Sequence, residues 1–278
     1  FLSSFLKLAR NKEYAYFILI ILLCGISRAS MTNYLSLFYQ DVCKLGNKNV
    51  PNFNLPGFLK APLGLFYRNK IATTTLYGVA LEIVVFFNSS KIIDKLGLFW
   101  PMFLAQFFQL LRFIFYFTLD VDSKNVFMYC CLIELFKGLN YSLIHSSALL
   151  LACKLCPPSL KGPSQLIYSG TFVALGTVIS GVLFNLAFKA KSNIPRDVAI
   201  EEFKKLFVIN ILLSVFIIGF FLIKYALMEN LLFNRENAER KLKLIEEETL
   251  QQDKGEVKDP ENIDMLSKEK TEDVKTAV

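Results

Sequence analysis

The sequence predicts an all-α membrane protein: six transmembrane helices followed by a charged, partly disordered tail. Three observations carry that prediction. Hydrophobic residues make up 54% of the 278, including 27 Phe. That is more apolar surface than a water-soluble fold can hide behind its polar residues. Six separate stretches reach the roughly 20 apolar residues that a helix needs to cross a hydrocarbon core about 30 Å thick. Charge is also partitioned: residues 1–228 hold 22 Lys/Arg and 10 Asp/Glu, whereas residues 229–278 hold 9 and 14. A basic membrane body therefore precedes an acidic tail.

The elements follow in order. Residues 1–13 form a juxtamembrane lead-in without the n-region, apolar core and small-residue cleavage site of a signal peptide. The chain begins at Phe1 rather than Met, so it reads as starting partway through a longer protein. The spans are predicted at about 14–38, 71–90, 98–119, 126–153, 164–188 and 206–228, the third with seven Phe. Each is too long for a buried strand, and barrel-type alternation is absent, so each is a helix whose backbone satisfies itself in lipid. Between them lie a long loop, 39–70, broken by Pro51, Pro56, Gly57 and Pro62, and tight loops at 91–97 and 120–125. A Pro/Gly turn follows at 154–163, then a charged loop at 189–205. In the tail, 230–250 has helical spacing, while 251–278 has too few apolar residues to fold alone.

Six spans place both ends of the bundle on one side. If that side is the cytoplasm it carries 17 Lys/Arg against 11 on the other, the sense of the positive-inside rule. The expected localisation is thus integral, multi-pass, with both ends cytoplasmic. The chain has no Lys/Arg–aromatic cluster for base stacking, so nucleic acid is not an expected partner. Five of the six cysteines lie in or beside apolar runs and read as small hydrophobes. With one His and no paired His or Cys ligands, neither a metal site, a cofactor nor an enzyme activity is expected.

The informative residues are those a bilayer rejects. A mid-span charge costs about 2.5–3.5 kcal/mol on insertion scales and marks function by default. These residues are Arg28, Glu82, Arg112, Glu134, Lys137 and His145. At about 100° per residue, Glu134, Lys137, Tyr141 and His145 fall within one arc of roughly 80° on the fourth span, a polar face that must meet protein or a water-filled cavity. Glu134 and Lys137 are spaced to neutralise each other, and Glu82 with Arg112 forms a second candidate pair. The same residues would also serve simply to pin helices together. In the fifth span Gly170-x-x-x-Ala174 and Thr177-x-x-x-Gly181 are small-residue patterns that allow close helix packing.

The loop Ser90-Lys91-Ile92-Ile93-Asp94-Lys95-Leu96-Gly97 resembles the G-x-x-x-D-R/K-x-G motif of the major facilitator superfamily, in its second-half copy, with Ser90 in place of the first Gly. The run Ala80-Leu81-Glu82-Ile83-Val84-Val85-Phe86-Phe87 before it, Arg112 eighteen residues beyond Asp94, and Glu134-Leu135-Phe136-Lys137-Gly138-Leu139-Asn140-Tyr141 are similar to the sugar- and nucleoside-proton-symporter-like branch. So is Pro157-Pro158-Ser159-Leu160-Lys161-Gly162-Pro163-Ser164-Gln165. The resemblance covers about residues 5–228 and implies that the six spans are the C-terminal half of a twelve-helix bundle.

It further implies secondary transport of a small polar solute by alternating access, the implied partners being that solute, protons, membrane lipid and the missing N-terminal half. Ser90, Asp94, Lys95 and Gly97 would set the conformational equilibrium. Arg112 matches the ninth-helix Arg of lactose-type symporters. Their tenth-helix Lys, His and Glu correspond to Glu134, Lys137 and Asn140, so Glu82 or Glu134 would carry the proton. The alternative is a non-transporting sensor or scaffold of the same fold.

Overall fold

The structure is a computed structural model that describes residues 8, 10–46, 64, 66–187 and 195–257. Most of the predicted 39–70 loop, the start of the 189–205 loop and the tail beyond 257 lie outside the described residues. Among the described residues every regular element is helical. The helices are α1 (Lys12–Leu37), α2 (Lys70–Phe87), α3 (Ser89–Leu96), α4 (Phe99–Phe117), α5 (Val126–Lys154), α6 (Lys161–Ser169), α7 (Gly176–Ala187), α8 (Arg196–Leu222) and α9 (Arg235–Val257). Wide π turns extend α1 over Phe38–Val42 and α8 over Ile223–Met228, and a third, Gly170–Leu175, joins α6 to α7 into one span.

Five continuous helical segments are long and apolar enough to cross a membrane, and a sixth span follows when the bent pair α3 and α4 is counted as one. The 19 residues of α4 rise about 28 Å by themselves, enough for the hydrocarbon core. The segment read as the tight loop 91–97 is instead α3, which turns by 110° into α4. The end of the predicted second span folds into it, since α2 stops at Phe87. Gly97 makes the corner at φ +76°, a left-handed conformation suited to glycine.

Two apolar clusters fill the bundle. One, on the side of the tail, gathers Phe17, Ile20, Ile21, Met102, Ile144, Tyr168, Phe172 and Phe221. The other, on the opposite side, gathers Met31, Phe38, Phe113, Tyr116, Cys130 and Phe207. Between them, on α1, α4, α5 and α8, runs a waist of buried polar residues: Ser27, Ser30, Gln106, Gln109, Arg112, Glu134, Asn140, Asn210 and Ser214. Ser30 donates to the Asn210 Oδ1 at 2.6 Å, and Asn140 donates to the Ala105 carbonyl at 2.8 Å.

The helices approach closest at glycines. A Cβ on Gly138 of α5 would lie 2.3 Å from the Gly78 carbonyl oxygen of α2, and one on Gly25 of α1 would lie 2.5 Å from the Phe172 carbonyl oxygen in the π turn. Gly176 abuts Gly25 in the same way, at 2.7 Å. The expected stripe Gly170, Ala174, Thr177 and Gly181 does not make this packing. Added Cβ atoms on Gly170 and Gly181 meet open space, Ala174 is exposed, and the Thr177 hydroxyl donates back to the Val173 carbonyl. The close approach of α7 to α1 is made by Gly176 instead.

The tail begins as a built part of the fold. Helix α9 runs to Val257, past the predicted end of helical spacing. It buries Ala238, Leu242, Ile245 and Thr249, a stripe at steps of three and four residues. Lys241 Nζ reaches Glu13 at 3.2 Å and Glu229 at 2.6 Å, while Lys224 Nζ reaches Glu13 at 2.7 Å. This network joins α9 to α1 and to the end of α8. Further along, the Arg235 guanidinium holds the exposed Glu239 carboxyl below its usual range by a direct hydrogen bond. On the opposite side Arg196 caps the bundle, donating to the Val42 carbonyl at 3.1 Å and pairing with Asp122 at 2.7 Å.

The glycine crossings give a direct test. Gly138→Val, which drives a side chain into the α2 backbone, is expected to lower stability by at least about 2 kcal/mol. Gly181→Val is expected to change it by less than about 0.5 kcal/mol, a surface substitution free of packing strain. Unfolding of the two purified variants in detergent, followed by helical circular dichroism, measures the difference.

Candidate functional site

The waist holds the ionisable residues that the sequence singles out, but pairs them differently. Arg112 of α4 donates through Nη2 and Nε to the Glu134 Oε1 of α5, at 2.7 and 3.2 Å. Both side chains are sealed, at 3% and 2% exposure. The Tyr116 hydroxyl donates to the same oxygen at 2.7 Å and is itself bonded to the Tyr39 hydroxyl of the α1 extension. Arg112 also lies over the Tyr116 ring. One carboxylate oxygen thus gathers three hydrogen bonds from α4, and the Tyr39–Tyr116 bond ties α1 to the group.

This corrects both expected pairs. Arg112 belongs to Glu134, not to Glu82, and Glu134 is not neutralised by Lys137. The angular reading of α5 put Glu134 and Lys137 on one arc, which they share. Within it, however, Glu134 points to α4, while Lys137 stays half-buried towards α2. Among the described residues Lys137 makes no side-chain hydrogen bond or ion pair, and it lies within electrostatic reach of Arg112, Glu134, Glu82 and Arg28. Glu82 is half-buried and, among the described residues, makes no side-chain hydrogen bond or ion pair; Lys137 and Arg28 are the cations in its reach.

Arg28 of α1 sits against rings rather than carboxylates. Its guanidinium carbon lies 5.1 Å from the Phe172 centroid and 5.9 Å from that of Tyr141, a cation–π arrangement. The rings form a continuous wall. Tyr141 stacks on His145 at 5.5 Å, Phe172 stacks on Tyr168 at 5.9 Å, and Phe86 meets Tyr141 and His145 edge-on. The Tyr168 hydroxyl and His145 Nδ1 share a hydrogen bond of 3.1 Å.

The site therefore has two layers. Behind is a closed ion pair, Arg112–Glu134. In front, half-buried, are Arg28, Glu82, Lys137, Tyr141 and His145. The loop-motif residues lie elsewhere, at the tail-side end. Ser90, Asp94 and Lys95 are exposed on α3, Gly97 makes its corner, and the Asp94 carbonyl accepts from Arg235 of α9 at 2.9 Å.

A model of the MFS_1 like family matches residues 2–193, more than half of the chain. The chain belongs to this family. It is an integral, multi-pass membrane protein of the major facilitator type, and all of the front-layer and ion-pair residues fall inside the matched segment. No curated protein and no solved structure matches it. In this member of the family, the neutral polar residues of the waist went unread at the level of sequence. The signal was there: Gln106, Gln109 and Arg112 recur at three-residue steps on α4, and Asn210 and Ser214 are one turn apart on α8. The side-chain oxygen and nitrogen of Gln109, with Ser27 Oγ, Gln106 Oε1 and Ser214 Oγ, are buried without a hydrogen-bond partner.

The sealed pair makes a specific energetic prediction. Glu134→Gln leaves Arg112 charged and unpaired in the bundle and is expected to cost about 3–5 kcal/mol. Replacing both, Arg112→Met with Glu134→Gln, is expected to cost less than Glu134→Gln alone. A double-mutant cycle on detergent-solubilised protein measures the coupling, with Glu134→Gln and Lys137→Gln as the comparison cycle, for which a smaller coupling is expected because no direct hydrogen bond joins them.

Proposed function

We propose that this family member is a secondary transporter that couples movement of a small polar solute to protons, by alternating access of a waist shared with a second six-helix bundle. The observation that carries the reading is Glu82: a half-buried carboxylate within the apolar helix α2, without a hydrogen bond or ion pair among the described residues, in reach of two cations. Glu134 is held by Arg112 and Tyr116, and releasing it would leave a buried guanidinium bare. Glu82 has no such restraint. Gaining a proton removes its charge at modest structural cost and frees Lys137 and Arg28 from its field. Losing it restores their partner.

On this reading Glu82 is the proton carrier, and the Arg112–Glu134 pair keeps α4 and α5 in register while the front layer changes charge. The α3 helix, with Asp94 at the tail-side mouth, bears on the conformational equilibrium through its bond to α9.

The test uses the complete protein in proteoliposomes. Glu82→Gln is expected to retain solute exchange at equal concentrations on both sides but to lose accumulation driven by a proton gradient. Full gradient-driven accumulation by Glu82→Gln would remove the proposed carrier. Asp94→Ala is expected to lower the exchange rate several-fold at unchanged solute affinity, measured by counterflow across a range of solute concentrations.

A further inference from the structure

We propose that the front layer of the waist binds a small organic monocarboxylate, with Arg28 as its principal ligand and Lys137 as a second cation. The proposal rests on the transport reading above and adds to it the chemistry of the solute.

The charge inventory comes first. Three cations, Arg28, Arg112 and Lys137, share the waist with two carboxylates, Glu82 and Glu134. Arg112 and Glu134 satisfy each other behind the surface. That leaves two cations facing one carboxylate inside apolar spans, where an uncompensated charge is costly. One negative charge from a ligand removes the excess.

Arg28 is built to supply the contact. Among the described residues it makes no side-chain hydrogen bond or ion pair, and its Nε is buried without a partner. The Phe172 and Tyr141 rings fix the guanidinium without neutralising it. A planar fork with unspent donors matches the two oxygens of a carboxylate.

The surroundings favour a carboxylate over a sugar. A polyol needs several neutral donors and acceptors around it. At this depth the amides that would serve, Gln106, Gln109, Asn140 and Asn210, are 0–4% exposed inside the bundle. The half-buried groups are instead two cations, Glu82 and rings: Tyr141 stands beside Arg28, His145 stacks on Tyr141, and Phe86 meets both rings edge-on. An acid with an apolar or aromatic body fits that wall, its carboxylate at Arg28.

The experiment measures binding of radiolabelled benzoate to the purified complete protein, with acetate, lactate, benzamide and glucose as competitors, and proton-driven uptake of the same probes in proteoliposomes. Saturable benzoate binding is expected, with benzamide and glucose competing at least about 30-fold more weakly than benzoate itself. Arg28→Ala is expected to weaken binding by about 30-fold or more, and Lys137→Gln by several-fold. Should Arg28→Ala fail to fold, Arg28→Lys keeps the charge but loses the fork and is expected to weaken binding about tenfold, with a wild-type melting profile.

Benzoate, acetate and lactate all failing to bind would overturn the proposal, as would binding unchanged in both Arg28 variants or equal competition by benzamide. Proton-driven uptake of glucose without carboxylate binding would sink the carboxylate site and leave the transport reading standing. Carboxylate binding that depends on Arg28, with no probe taken up, would support the site and count against transport.

Discussion

The ion pair between Arg112 and Glu134 is the constraint around which the rest of the bundle is arranged. Two charges at 3% and 2% exposure are tolerable inside a membrane protein only if they are fully bonded. Here Tyr116 adds a third bond to the shared Glu134 oxygen and Tyr39 bonds Tyr116 in turn. The requirement fixes the rotation of α4 and α5, since either helix turned by one residue would separate the pair. With that rotation set, Gln106 and Gln109 face inward with Arg112, and Asn140 reaches the Ala105 carbonyl. Gly138 is turned to α2, where its missing side chain lets Gly78 approach.

The same rotation divides labour between two kinds of polar group. In the closed layer Arg112, Tyr116, Asn140 and Ser30 spend hydrogen bonds on neighbouring helices. In front, Arg28 is held by the faces of Phe172 and Tyr141, which orient the cation but leave its donors available. Rigidity and responsiveness are thus separated by a single helix thickness.

Much of this was legible in the sequence, and the remainder was not for identifiable reasons. Span number and approximate position follow from length and apolarity alone, because lipid leaves the backbone no alternative to a helix. The set of membrane-embedded charges was equally visible. Their partners were not: an angular plot of α5 shows that Glu134 and Lys137 share an arc, but not that α4 lies against one edge of it and α2 against the other. Helix α3 was hidden because eight residues between two spans look like a connection, whichever conformation they adopt. The small-residue pattern on α7 pointed to the wrong face since any helix rich in Gly, Ala and Thr contains several such patterns, and only the neighbour's backbone selects among them. In the tail, charge density masked the buried stripe of Ala238, Leu242, Ile245 and Thr249.

The clasp formed by Glu13, Lys224, Glu229 and Lys241 has a consequence for biosynthesis. Glu13 stands at the start of α1, yet the lysines that hold it are made more than two hundred residues later. Helix α1 likewise rests on α7 and α8, through Gly176, Asn210 and the Phe220 carbonyl that accepts from Tyr16. It therefore enters the bilayer well before its own neighbours exist. During that interval its seat is provisional, its carboxylate lacks a cation, and its glycine face has nothing to press against. Closure of this bundle falls to helices synthesised well after α1, as expected where contacts distant in sequence dominate. Chains interrupted ahead of α9 would carry these spans inserted but α1 unfastened, which makes that junction a natural point for quality control to inspect.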